Sequence, residues 1–102
     1  MREVPLTLSE PARYELNQLW QQYAAVSEEL ANRILQRLHL KMLYLRRYPE
    51  LGRLRPEFNM AGLRSIAVSP RVIFYSVSPD AVIIHHVIDG RQNLAAFFQN
   101  EY

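Results

Sequence analysis

The chain has 102 residues, 49% hydrophobic and 22% charged, a globular composition with room for a modest core and too apolar for intrinsic disorder. It has no cysteine, which excludes disulfides, cysteine-ligated zinc and thiol catalysis. The formal charge is only +2, yet nine basic residues lie between Arg33 and Arg71 against Glu50 and Glu57, while the segment before Arg33 is acidic.

Residues 3–8, EVPLTL, are expected to open the chain as a short strand, which Pro5 restricts to an edge or a strand start. Ser9 is placed to cap a first helix, with Glu10 and Pro11 in its first turn. Ala12, Leu16, Leu19 and Tyr23 recur at helical spacing. Trp20 flanks that stripe, so the sheet is expected to cover part of its indole, and Trp20→Ala to cost on the order of 3 kcal/mol. Ser27, followed by Glu28 and Glu29, caps a second helix that runs to about Tyr48 and stops before Pro49. Its core stripe is Leu30, Ile34, Leu35, Leu38, Met42 and Leu45. Leu40, Leu43 and Tyr44 fall on the far side among Arg33, Arg37 and Arg47, either as a partner contact or as scattered surface apolar residues.

After the loop PELGRLRPEFNMAG the hydrophobic period changes from helical to two, which predicts strands at about Leu63–Val68, Val72–Val77 and Val82–Ile88. Ser69-Pro70 and Ser78-Pro79-Asp80 are turns too short for anything but antiparallel neighbours. Gly90 ends the last strand, and LAAFF adds a short apolar turn or a final strand. The expected fold is α+β: one domain over residues 1–102, with an N-terminal strand and an antiparallel helical hairpin packed on one face of a small antiparallel sheet. No apolar run approaches the roughly 18–20 residues that span a bilayer, and the polar start MREVPLTLSE is unlike a signal peptide, so a cytoplasmic location is expected.

Catalytic signatures are sparse. His85 and His86 are adjacent in a predicted strand, so without a bulge they point to opposite faces and cannot share one metal or one proton relay. His39 stands alone, and no metal or cofactor site is expected. There is no Gly-x-Ser-x-Gly elbow, and Gly52, Gly62 and Gly90 are too dispersed to cradle phosphate. The remaining constellation is arginine: Arg53 and Arg55 in the loop, Arg64 and Arg71 on the first two strands of the meander, and Arg91 after the last. Such a set serves either phosphate stabilisation in RNA cleavage or the binding of an acidic partner, and spacing does not decide between them.

LSEPARYELNQLWQQY, ELGRLRPEF, GLRSIAVSPRVIFYSV and VIDGRQNL, in that order, resemble the toxins of the ParE/RelE superfamily, the ParE branch most closely, from about Val4 to Phe98. The resemblance implies the toxin half of a bacterial type II toxin–antitoxin pair, often called a plasmid stabilisation protein, with a helical hairpin against an antiparallel sheet. It implies a ParD-like antitoxin whose C-terminal, often acidic, segment wraps the toxin; Leu40, Leu43, Tyr44, Arg33, Arg37 and Arg47 are the residues suited to receive it. A homodimer or a hetero-oligomer with the antitoxin is compatible with it, whereas membrane association and sequence-specific DNA binding by the toxin alone are not expected.

RelE-like members cut mRNA on the ribosome with clustered basic residues and a C-terminal proton carrier. Arg64 and Arg71 match two positions of that pattern, whereas Ile66, Gln92 and Phe98 stand where a basic residue, an arginine and the acid/base would be. A nuclease would have to use Arg64, Arg71, Arg91 and Tyr102. ParE-like members are associated instead with inhibition of DNA gyrase, for which Arg64, Arg71, Arg91, Leu94, Phe97 and Phe98 form the expected target surface.

Overall fold

Two serines start the long helices. In the computed structural model, which describes residues 3–101, the Ser9 hydroxyl accepts the amide of Ala12 at 3.1 Å and the Ser27 hydroxyl accepts that of Leu30 at 3.2 Å. Helix α1 spans Glu10–Ala24 and α2 spans Glu28–Arg47, the latter with Glu28 and Glu29 at its positive end and Arg46 and Arg47 at its negative end. The remaining elements are β1 (Leu6–Leu8), β2 (Arg53–Leu54), β3 (Arg64–Val68), β4 (Arg71–Val77), β5 (Val82–Asp89) and α3 (Leu94–Glu101).

The sheet order is β1-β5-β4-β3-β2. The meander β3–β4–β5 is antiparallel as expected, but β1 runs parallel to β5, with Leu6 opposite Val82 and Leu8 opposite Ile84, so the sheet is mixed. The chain passes through the whole helical hairpin and meander before it returns to β1, and that long connection permits a parallel pair where a tight turn does not. Strand β2 lies inside the predicted loop, paired through Arg53–Ser65 and Leu54–Arg64; two residues carry no readable period. The LAAFF segment is neither turn nor strand but opens helix α3.

Strand β4 is covered on both sides. Ile73 and Tyr75 join Ala12, Leu19, Leu38, Met42, Leu45, Val82, Ile84 and Val87 in the core beneath the hairpin. Phe74 points the other way, into a second cluster with Phe58, Leu63, Ile88 and Phe98, which the loop after β2 and helix α3 close. The two helical stripes pack as expected except at Leu30, which belongs to neither cluster; Leu16, Tyr23, Ile34 and Leu35 lie at the margin of the first.

Trp20 departs from expectation. It is half-buried, belongs to neither cluster, and donates its indole N–H to Asn32 Oδ1 on α2 at 2.8 Å. One residue beyond Leu19 turns about 100° around the helix, which carries the ring from the sheet toward α2. Trp20→Ala is therefore expected to cost about 1–2 kcal/mol, below the roughly 3–5 kcal/mol of a fully buried aromatic, read as a shift in the urea midpoint.

Candidate interaction surfaces

The outward face of α2 follows from its inward one. Leu38, Met42 and Leu45 are buried, and the 3.6-residue repeat then turns Arg33, Arg37, Leu40, Tyr44 and Arg47 to solvent. Leu40 is 54% and Tyr44 60% exposed. Tyr48 stacks on Tyr44, with ring centroids 6.0 Å apart and 28° between planes. With Glu3, Leu43 and Arg47 these residues line an open groove of about 290 Å³. Arg33 meets Glu29 at 3.5 Å with both side chains largely in solvent, a weak surface pair, and Arg37 and Arg47 are exposed. All six residues expected to receive an antitoxin thus share one side of one helix, with Arg33 and Arg37 on the N-terminal side of the apolar groups and Arg47 beside them in the groove, which Glu3 also lines.

The arginines of the sheet do not converge. Arg64 is paired across the ladder with Tyr75, while Arg71 faces Val68 on one side and Asp89 on the other. The two therefore mark opposite ends of the β3–β4 hairpin, about 13 Å apart along the strands. Arg64 donates to the carbonyls of Gly52 at 2.7 Å and Glu50 at 3.3 Å, tying down the chain that leads into β2. Arg71, whose side chain is only 11% exposed, donates to Asp89 Oδ2 at 3.2 Å, with its guanidinium 6.0 Å from the Tyr23 ring centre. Arg91 is exposed and grips the same carboxylate at 2.6 Å, while its backbone N–H donates to Asp89 Oδ1 at 2.9 Å. The Arg91 side chain and then its amide hold the Asp89 carboxyl far below the usual range, with Arg71 adding to the effect. The same carboxylate raises the Arg91 pKa.

Arg55 is committed as well. It donates to Ser65 Oγ at 3.0 Å and Glu57 at 2.8 Å, and lies over the Phe58 ring at 4.9 Å. Arg53 stays exposed, 4.0 Å from Glu57. Of the C-terminal residues expected to meet a target, Phe98 is 1% exposed, its ring 4.6 Å from that of Phe58 and 4.7 Å from that of Phe74, while Leu94 and Phe97 are partly buried beside it. Tyr102, the proton carrier a nuclease would need, lies outside the described residues. Between α1 and the end of β5 a polar groove of about 400 Å³ is lined by Tyr14, Gln18, Gln22, Arg71, Arg91 and Phe97 among others.

The histidines differ from expectation in a specific way. Phe74 pairs with His86 and Tyr75 with Ile84, so His85 is the extra residue of a β-bulge. His86 turns toward Phe97 and Phe98, and His85 Nε2 lies 2.7 Å from Ser76 Oγ, two residues beyond Phe74. The bulge thus brings both imidazoles to the sheet face away from the hairpin. Burial pushes the His85 pKa down, and the neighbouring His86 adds to that shift. Among the described residues no group of three or more histidine, aspartate or glutamate side chains could hold a metal ion. Among them, too, no helix is long and apolar enough to cross a membrane.

Glu15 and Tyr75 escaped the sequence reading. Glu15 on α1 contacts β5, and Tyr75 is a buried phenol bonded to the loop before β2. Both bonds span elements far apart in the chain, and no local pattern announces them.

A helical hairpin lies over one face of this five-stranded mixed sheet, an α+β architecture. A family model described as the ParE toxin of the type II toxin–antitoxin system parDE matches residues 6–94. Toxin ParE3 of Caulobacter vibrioides is 35% identical over 68 residues, 67% of this chain and 67% of that protein. A solved structure described as the chromosomal ParDE TA system from P. aeruginosa superposes with a TM-score of 0.72 over 85% of this chain and 96% of that one; at 18% identity it speaks to the fold alone. The chain belongs to the ParE toxin family of type II toxin–antitoxin systems.

Proposed function

We propose that this toxin is held inactive by a ParD-like antitoxin and, when free, acts in the cytoplasm by binding DNA gyrase rather than by cutting mRNA. The observation that carries the choice is the scatter of its arginines. A ribonuclease must gather positive charge around one phosphate and supply a proton carrier beside it. Here Arg64 serves two loop carbonyls, Arg71 and Arg91 share Asp89 at the other end of the hairpin, and Phe98 is a core residue with no proton to give. A gyrase inhibitor needs only a complementary surface. The polar groove of Arg71, Arg91 and Phe97, with Leu94 at the start of α3, is the part of the chain best suited to supply it.

The outer face of α2 is assigned to the antitoxin. Its basic rim favours an acidic segment, and its apolar centre supplies the anchors. Two copies of this chain meeting α2 to α2 across a twofold axis would set basic rim against basic rim, so a hetero-oligomer is favoured over a homodimer through this face.

The test uses gyrase from the source organism. Purified toxin is expected to block supercoiling or trap cleaved DNA, and the antitoxin to reverse the effect. Translating ribosomes given the same toxin are expected to show no new cuts at the A-site codon. Cleavage there that disappears in Arg71→Ala would establish the nuclease reading instead.

A further inference from the structure

Strand β1 accompanies β5 only as far as Ile84, and beyond that point helix α1 takes over the open edge. The backbone N–H of Ser9 donates to the Ile84 carbonyl at 2.9 Å, and its hydroxyl donates to the His85 carbonyl at 2.8 Å. Glu15, further along α1, accepts the Val87 N–H on Oε1 at 2.8 Å. Its other oxygen, Oε2, lies 2.9 Å from His86 Nδ1. His86 is 1% exposed, and the rings of Phe97 and Phe98 in α3 meet it edge-on at 4.9 and 5.8 Å, both at 88°. One carboxylate on the first helix therefore fixes the imidazole against which the last helix packs.

We propose that the Glu15–His86 pair is a clasp that sets the position of α3, with Glu15 as a positioning residue acting through His86. Apolar contacts through Leu94, Phe97 and Phe98 hold α3 to the second core, and such contacts are non-directional. The imidazole supplies direction. A half-turn about its Cβ–Cγ bond would present a different edge to Phe97 and Phe98 and carry Nδ1 away from Glu15, so the contact with Glu15 favours one of the two orientations. The carboxylate is itself anchored by a backbone N–H, so its place does not depend on the ring it holds. An ionised carboxylate only accepts hydrogen bonds, so the His86 hydrogen that faces it must sit on Nδ1.

The clasp makes two measurable statements. In the unaltered protein, the ring ¹⁵N spectrum is expected to show a protonated, slowly exchanging Nδ1 on His86; an unprotonated Nδ1 at neutral pH overturns the proposal without any variant. In variants, Glu15→Ala and His86→Phe are each expected to speed amide exchange at Phe97 and Phe98 by about tenfold or more, while Leu38 and Met42 in α2 keep their protection. The double variant should exchange more slowly than the product of the two single effects predicts, because both variants remove the Glu15–His86 link. Unchanged exchange in α3 on Glu15→Ala, or effects that multiply in the double variant, would refute the clasp. Should a variant fail to fold, the ring spectrum decides.

Discussion

Gly52→Ala is expected to destabilise the toxin by about 3 kcal/mol, combining overpacking of roughly 1–3 kcal/mol with hydrogen bonds strained or lost at a similar scale. Gly52 is buried beside Tyr75, whose side chain is fully enclosed. The Tyr75 hydroxyl accepts the Gly52 N–H at 2.7 Å and donates to the Pro49 carbonyl at 2.8 Å, and burial raises the phenol pKa. A Cβ at position 52 would come within 2.6 Å of both the Tyr75 ring and its oxygen, and 2.7 Å from the Ser65 carbonyl. Neither the enclosed ring nor the β3 backbone can yield cheaply. The Gly52 carbonyl also accepts from Arg64, so displacing this residue loosens the attachment of β2 as well. Denaturant midpoints give the check. Tyr75→Phe alone should cost about 1–3 kcal/mol by leaving the Gly52 N–H unsatisfied. Combined with Gly52→Ala it should cost less than the sum, since the missing hydroxyl relieves part of the clash. A wild-type midpoint for Gly52→Ala would mean the loop does not pack on Tyr75 as described.

Leu43→Glu is expected to weaken antitoxin binding at least tenfold, about 1.4 kcal/mol, and to leave the fold intact. Leu43 lines the α2 groove beside Leu40, Tyr44 and Tyr48, on the side of the helix away from Leu38, Met42 and Leu45. A carboxylate there removes an apolar anchor and faces the acidic segment the basic rim is suited to attract. Thermal unfolding should move little, because the core stripe is untouched. Calorimetry of the purified pair measures the effect; an unchanged dissociation constant would take this face out of the interface. Binding should also weaken as salt is raised, to the extent that Arg33, Arg37 and Arg47 contribute.

The α2 face and the Gly52–Tyr75 contact have different origins. The α2 face is a local property: once the buried stripe is known, a fixed turn per residue places Leu40, Tyr44 and Arg47 opposite it, and the sequence suffices. The Gly52–Tyr75 contact joins residues 23 positions apart, and nothing near either one announces the other.

The same division runs through the molecule. The capped helices, most of the buried stripes, the three long strands and the basic, apolar side of α2 are local, because each depends on periodicity or on a cap within a few residues. Which partner each group meets depends on contacts between distant segments. The parallel docking of β1 on β5, the two-residue β2 and the helical form of α3 all depend on segments distant in the chain. The bulge at His85 exists only relative to the residue count of β4, and it turns two histidines expected on opposite faces to the same one. Arginine spacing likewise left open whether Arg64, Arg71 and Arg91 converge. The answer came from Asp89 and the Gly52 carbonyl, since a long flexible cation takes its position from the acceptor it finds rather than from its own place in the strand.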